Sequence, residues 1–252
     1  MSCCIILPTY NEKENIVVLI DQILGLELGE DVQILVVDDD SQDFTWKVVE
    51  TRYCGNSSVQ VLRRLGAERG LVASLNDAIT LVKTDYVLWM DADLQMPASK
   101  IPDFFKKMND ERPTAVIGSR FISGGKDLRH EGEVSHSLIT NIHRQLSDWL
   151  SVFVPRLLGL SVTDVTSGFI LIKKSFLDSH LLQGNHGEYF IDLVYRLERK
   201  GHLLIEIPYV LSARTKGISK STKGEVVTMT KVGIRYLLVT LKLICYRFCK
   251  KM

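Results

Sequence analysis

The sequence predicts an α/β fold: a mostly parallel central sheet flanked by helices, with an amphipathic helix at the C-terminus. Three observations carry this expectation. Short apolar runs alternate with helical spacing through the first 120 residues, which makes βαβ units. Several apolar runs stop abruptly at polar clusters, as strands do where a sheet opens to solvent. The last 22 residues, from Lys231, contain no Asp or Glu, and basic positions there alternate with aliphatic ones at helical spacing. At 252 residues and 46% hydrophobic content, the chain can bury one large core.

In chain order, Cys3–Pro8, Val32–Val37, Val59–Leu62, Tyr86–Met90 and Ala115–Gly118 are continuous apolar runs of strand length. Such runs suit strands buried on both faces. Between them, Glu12–Leu24, Asp43–Tyr53, Arg69–Val82 and Ser99–Asn109 place apolar residues three and four apart, as with Ile16, Leu19, Ile20 and Ile23. A loop at Ser123-Gly-Gly-Lys126 opens a mixed region. There His136–Leu158 is expected to be helical and Pro155 to kink or end it. Ser167–Lys173 is expected as a strand, Tyr189–Lys200 as a helix and Leu203–Val210 as an extended segment. With no repeat and no low-complexity linker, the chain divides into a domain over 1–224 and a basic amphipathic helix over 225–252.

Ligands of open α/β sheets bind beyond the carboxyl ends of the strands. Those ends are Pro8-Thr-Tyr10-Asn-Glu12, Val37-Asp-Asp39-Asp40, Asp91-Ala92-Asp93 and Gly118-Ser-Arg120, so four polar clusters are expected on one rim. Asp91 and Asp93 end the run from Val87, and Gln95 follows two residues on. Two carboxylates so spaced are hard oxygen ligands for Mg²⁺ or Mn²⁺, with Gln95 as a neutral third; the alternative is an acidic surface turn with Gln95 opening the next helix. Asp39 and Asp43 are ligand contacts or helix N-caps. Tyr10 is a nucleobase contact or a half-buried rim aromatic.

The formal net charge of +1 hides an asymmetry: residues 1–125 carry 12 Lys+Arg against 19 Asp+Glu, and residues 126–252 carry 19 against 11. An acidic half suited to metal thus precedes a basic half suited to anions or a membrane surface. The terminal helix either lies on an anionic membrane face or packs on the domain with a solvated basic stripe. Five scattered cysteines, at 3, 4, 54, 245 and 249, predict free thiols in a reducing compartment. The start of the chain does not read as a secretory signal, and no run of 18 apolar residues predicts a membrane span. A dehydrogenase is disfavoured because no Gly-x-Gly-x-x-Gly turn follows the first strand.

A nucleoside diphosphate sugar would suit such a rim. Its leaving diphosphate needs stabilisation, which a cation on Asp91 and Asp93 would provide. Arg214 and Lys220 lie in a Gly- and hydroxyl-containing stretch that is either a lid over phosphates or a basic loop without function.

Seven stretches, Leu7-Pro-Thr-Tyr-Asn-Glu12, Val36-Val-Asp-Asp-Asp-Ser41, Arg69-Gly-Leu71, Met90-Asp-Ala-Asp-Leu-Gln95, Gly118-Ser-Arg-Phe121, Thr166-Ser-Gly-Phe169 and Ile218-Ser-Lys220, follow one another as they do in a known family. The chain resembles the family-2 glycosyltransferases of GT-A fold, and within them the dolichyl- or polyprenyl-phosphate mannose synthases. The resemblance implies transfer of mannose from GDP-mannose to a polyprenyl phosphate. It also implies a Mg²⁺ or Mn²⁺ cofactor and peripheral attachment to the cytoplasmic face of a membrane. A small membrane protein is an additional expected partner, and nucleic acid is not expected.

By the same resemblance, Pro8, Tyr10, Glu12, Val37 and Asp39 hold the base and ribose. Asp91, Asp93 and Gln95 bind the metal, and Ala92 lies against the donor. Arg120, Arg214 and Lys220 engage the phosphates with Asp93 as the catalytic group, and Ser167 and His136 meet the acceptor phosphate. Rival readings are a UDP-glucose donor and a glycan hydroxyl acceptor, with Asp192 or Glu188 as base in the latter. The chain departs from the family at Ser41-Gln-Asp-Phe-Thr45, where Ser-Pro-Asp-Gly-Thr is usual. It also departs at His136-Ser137, where an Arg-Lys pair is usual and His136, Arg129 or Arg144 would substitute.

Overall fold

The computed structural model describes residues 1–26, 28, 31–66, 68–129, 152–213 and 226–249. Nine strands are described: β1 (Cys3–Thr9), β2 (Val32–Asp38), β3 (Val59–Arg63), β4 (Tyr86–Trp89), β5 (Ala115–Ser119), β6 (Lys126–Asp127), β7 (Ile170–Lys173), β8 (Leu204–Pro208) and β9 (Val210–Leu211). Seven of them form one sheet in the order β3–β2–β1–β4–β7–β5–β8, and β6 pairs with β9 separately. Within the large sheet β7 runs antiparallel to both β4 and β5, while the other described pairings are parallel.

The helices are α1 (Lys13–Leu24), α2 (Thr45–Arg52), α3 (Leu71–Leu81), α4 (Ile101–Glu111), α5 (described over 152–158), α6 (Lys174–Asp178), α7 (Tyr189–Arg199) and α8 (Val226–Cys249). Alternate residues of each strand point to opposite faces, so the strands' continuous apolar runs supply two cores. Cys3, Ile5 and Leu7 join α1, α2 and α4 on one face. Cys4 and Ile6 join α3, α5, α6, α7 and α8 on the other. Burial pushes the Cys4 thiol up to about 12, which makes it an inert core side chain.

The alternation of elements through Glu111 follows the sequence pattern to within a few residues at each end. Two details differ. The β6–β9 pair was not foreseen, because two residues per strand are too few for any periodicity to register. Helix α5 runs through Pro155 and ends at Gly159 instead, whose φ of +65° suits glycine. The Gly159 N–H bonds the Arg156 carbonyl at 3.1 Å and the Leu160 N–H bonds Pro155 at 2.9 Å, so the stop is a Schellman turn. Arg199 and Arg247 donate to the carbonyls of Leu158 and Leu157 at 2.8 and 2.9 Å, satisfying the end of α5 with positive charge.

Candidate active site

Because β1, β2, β3, β4, β5 and β8 run the same way, their carboxyl ends share one rim. The reversed β7 brings its amino-terminal turn, Thr166–Phe169, to that rim as well. The four strand-end clusters expected from sequence therefore lie along one edge of the sheet.

On the β1–β2–β3 side, Pro8 pairs in register with Val37 and Thr9 with Asp38. Buried Asp38 closes the turn after β2, accepting Thr9 Oγ1 at 2.9 Å, Ser41 N–H at 2.8 Å and Ser41 Oγ at 2.6 Å. The loops after β1 and β2 bond each other directly. Asn11 N–H reaches Ser41 Oγ at 2.8 Å, Gln42 N–H reaches Asn11 Oδ1 at 2.9 Å, and Glu12 N–H reaches Thr45 Oγ1 at 3.0 Å. Asp39 is 7% exposed and accepts from Gly70 N–H at 2.8 Å, Ser74 Oγ at 3.0 Å and the Arg64 guanidinium. It thus braces the start of α3 from a neighbouring strand. Asp43, just before α2, accepts Thr45 N–H at 2.9 Å and Oγ1 at 2.6 Å. Neither aspartate is the N-cap residue, which is Gly70 for α3 and Phe44 for α2.

The Arg69 guanidinium lies 4.9 Å from the Tyr10 ring centroid and donates to Tyr10 Oη at 3.2 Å and the Asp39 carbonyl at 3.1 Å. Glu12 is largely buried and accepts Asn15 Nδ2 at 2.8 Å. The Val37 side chain is fully buried in the core, so its expected contact with a nucleotide is limited to its backbone.

At the centre, Asp91 is exposed beyond β4 and Asp93 is 6% exposed, with its Oδ1 accepting the Gln95 N–H at 3.1 Å. Leu94 between them has φ +64°, which bends the chain sharply after the carboxylates. Gln95 is clamped to Ser212: Nε2 donates to the Ser212 carbonyl at 2.9 Å and Ser212 N–H returns to the Gln95 carbonyl at 3.0 Å. The acidic turn is therefore tied to the stretch just after β9, two residues before Arg214. No cluster of three or more His, Cys, Asp or Glu able to hold a metal occurs among the described residues. A cation here would rest on the Asp91–Asp93 pair, whose hard oxygens fit Mg²⁺ or Mn²⁺, with ligand phosphates completing its shell.

The β7–β5–β8 side is built from a buried ion pair and phenols. Arg120 was expected to engage phosphate, but its side chain is 3% exposed and faces Asp164, which is fully buried. Nε and Nη2 grip the Asp164 carboxylate at 2.8 and 2.7 Å, Nη2 also reaches Thr166 Oγ1 at 2.7 Å, and Nη1 reaches Asp127 at 3.1 Å. Burial alone would lower the Arg120 pKa, and the Asp164 hydrogen bonds and charge more than reverse it. In this geometry Arg120 holds the Asp164–Thr166 stretch in place and so positions the turn that carries Ser167.

Ser167 is nearly buried, its Oγ 3.4 Å from the Tyr209 hydroxyl. The Tyr189 hydroxyl takes the Trp89 indole N–H at 2.8 Å. Burial first, and then the charge of Asp91, hold the Tyr189 phenol protonated; burial does the same for Tyr209 against the charge of Arg120, with Asp164 and then Asp91 adding to it. Arg214, Lys220, His136 and Arg144 lie outside the described residues.

Sequence reasoning missed Arg64, although the strand-end rule applied to β3 points straight at Arg63-Arg64. Tyr189, Tyr209 and Asp164 have no local pattern that would mark them.

The family model "Glycosyl transferase family 2" matches residues 4–181. The chain belongs to glycosyl transferase family 2. As a family-2 glycosyltransferase it is similar to a dolichol-phosphate mannosyltransferase of Pyrococcus furiosus, 29% identical over 232 residues; these are 90% of this chain but 61% of that protein. An undecaprenyl-phosphate mannosyltransferase of Micrococcus luteus is 28% identical over 91% of this chain and 93% of its own. A dolichol-phosphate mannosyltransferase of Saccharomyces cerevisiae is 26% identical over 97% and 87%. Among solved structures, glucosyl-3-phosphoglycerate synthase of Mycobacterium tuberculosis with Mn²⁺, UDP-glucose and phosphoglyceric acid superposes with a TM-score of 0.66 at 19% identity. That match covers 95% of this chain and 79% of the other. The family-2 chain thus has the GT-A fold.

Proposed function

We propose that this glycosyltransferase transfers one mannosyl group from GDP-mannose to a polyprenyl (dolichyl) phosphate, with inversion at the anomeric carbon. The observation that carries the choice of acceptor is the match of nine-tenths or more of the chain to three relatives named for mannosyl transfer to a lipid phosphate. The rim supports it physically: the carboxylate pair lies between the mutually hydrogen-bonded loops after β1 and β2 and the turn that carries Ser167.

A phosphate monoester has a second pKa near ~6 and is largely a dianion at neutral pH. It attacks the anomeric carbon without a general base, unlike a sugar hydroxyl. The new C–O bond forms as the bond from the anomeric carbon to the diphosphate oxygen breaks, and GDP departs with the electron pair. A divalent cation held by Asp91 and Asp93, with Gln95 beside them, would supply charge stabilisation to that leaving group. The protein's own residues do the rest. Tyr10 and Arg69 offer a flat cationic face to the base, Asp39 lies braced by Arg64 beneath it, and Ser167 faces the acceptor. Arg214 and Lys220 are the cations assigned to the phosphates, and His136 is assigned to the acceptor phosphate.

The acceptor's tail requires a bilayer. No described helix is long and apolar enough to cross one. On α8, however, Ile234, Leu237, Leu238 and Leu241 are exposed at three- and four-residue spacing, Leu238 at 58%. Val152, Phe153 and Leu157 of α5 add to the exposed apolar surface, beside the end of α8 that Arg247 ties down. With Arg235 and Lys242 among them, these residues form the face that we assign to the anionic cytoplasmic leaflet.

The direct test incubates the protein and Mn²⁺ with radiolabelled GDP-mannose and a short polyprenyl phosphate; absence of label in the organic phase overturns the reading. Label appearing only when UDP-glucose replaces GDP-mannose corrects the donor. For the membrane face, Leu238→Glu with Leu241→Glu is expected to abolish flotation with phosphatidylserine vesicles. Undiminished flotation removes that face.

A further inference from the structure

The inner side of α8 packs on the domain as its outer side faces away. Tyr236, Val239 and Ile244 pack against the core shared with α7, and Thr240 and Leu243 are buried. The Thr240 hydroxyl is spent inside the helix, donating to the Tyr236 carbonyl at 2.8 Å. The Tyr236 phenol instead reaches out to the loop before α7. A Cβ added at Gly187 would lie 2.1 Å from the Tyr236 oxygen and 3.3 Å from its Cζ, so only glycine admits the ring there.

The next residue, Glu188, is buried and already engaged by the N–H groups of Asn185 and His186 at 3.0 and 3.2 Å. No hydrogen bond among the described residues takes the Tyr236 hydroxyl. Tyr236 is only partly buried, so its hydroxyl is open to a ligand.

Resting on the mannosyl-transfer reading, we propose that the Tyr236 hydroxyl, carried by α8, donates a hydrogen bond to the phosphate of the lipid-linked acceptor. Two further features support this. Burial, with Glu188 and Asp91 adding to it against Arg120 and Arg129, keeps the phenol protonated, so it acts as a donor and not as a base. Geometry also points to the acceptor. Tyr236 abuts the loop that leads into Tyr189, whose hydroxyl would lie 3.8 Å from a Cβ on Gly168, the neighbour of Ser167. Helix α8 carries the exposed apolar stripe along which a prenyl tail would arrive. One helix would then meet the tail with its outer face and the phosphate with its inner face.

Tyr236→Phe keeps the ring and removes only the hydroxyl. In the mannosyl transfer assay its KM for a short polyprenyl phosphate is expected to rise about tenfold or more, as for a lost hydrogen bond to a charged group. The KM for GDP-mannose and the melting temperature stay within error. Gly187→Ala, which displaces the phenol, is expected to share that signature. An acceptor KM within twofold of wild type in Tyr236→Phe, or equal rises for donor and acceptor, overturns the inference and leaves mannosyl transfer standing. A wild-type protein that labels no polyprenyl phosphate overturns the parent reading instead. If Gly187→Ala does not fold, Tyr236→Phe decides alone.

Discussion

On the β1–β2–β3 side of Asp91, neighbouring loops are bonded to each other: Asn11 to Ser41 and Gln42, Glu12 to Thr45, Gly70 to Asp39. On the β7–β5–β8 side the groups come from distant elements and meet only through the fold: Arg120 with Asp164, Ser167 with Tyr209, Trp89 with Tyr189. The first arrangement makes a nearly rigid template of backbone and short side chains, suited to a ligand of constant shape such as a nucleotide. The second sets aromatic hydroxyls around a buried ion pair, where one substitution alters hydrogen bonding without moving the backbone. The contrast teaches that the two substrates of one transfer can be recognised by differently constructed surfaces, so mutations should separate them.

The largest effect tests the divide itself. Asp93→Ala should lower turnover by about 10²-fold or more, as loss of charge stabilisation at a leaving group does. It should also abolish the Mn²⁺ dependence of GDP binding; retained dependence in a calorimetric titration would move the cation away from this pair. Next, Arg64→Ala and Asp164→Ala each leave a buried charge without its partner, and each should cost about 3–5 kcal/mol in urea unfolding. Their kinetic signatures should differ: Arg64→Ala raises the donor KM and Asp164→Ala the acceptor KM. Identical signatures would erase the distinction between the two sides.

A smaller effect is expected from Arg69→Ala. That side chain is half exposed over Tyr10, so about 0.5–1 kcal/mol, a few-fold in GDP affinity, is at stake. The smallest concerns acid. Burial would raise the Asp127 carboxyl, but the Arg129 hydrogen bonds and the charges of Arg129 and Arg120 outweigh it and hold the pKa below the usual carboxylate range. A depressed folded pKa contributes stability that is present above the unfolded value, ~3.9, and lost as pH falls through the folded one. Asp127→Asn should therefore flatten the decline in melting temperature below about pH 4; an unchanged slope refutes the assignment.

The same contrast explains what could be read from sequence. Apolar runs and their polar ends are local, so β1, β2, β4 and β5, and with them the rim positions of Tyr10, Asp39, Asp91 and Asp93, were legible. Even there, the burial of Val37 followed only from knowing that both faces of the sheet are covered. Arg120 stood at a strand end and was read as a phosphate contact, because nothing in Gly118-Ser-Arg-Phe121 discloses Asp164, 44 positions on. Pro155 was weighed as a breaker, when Gly159 and two arginines from other helices end α5. Tyr236 was invisible for a similar reason: the place of its hydroxyl follows from a missing side chain at Gly187, on another helix's approach.

The reversal of β7 has one more consequence. Strands that all point one way offer a site only the loops that follow them. A single opposed strand contributes the loop that precedes it, so the turn at Thr166–Phe169 reaches the rim from the other direction, tied there by Arg120 through Thr166 Oγ1 at 2.7 Å. Under the proposed reading, substitutions at Ser167 in that turn are expected to change acceptor choice and to spare the nucleotide side.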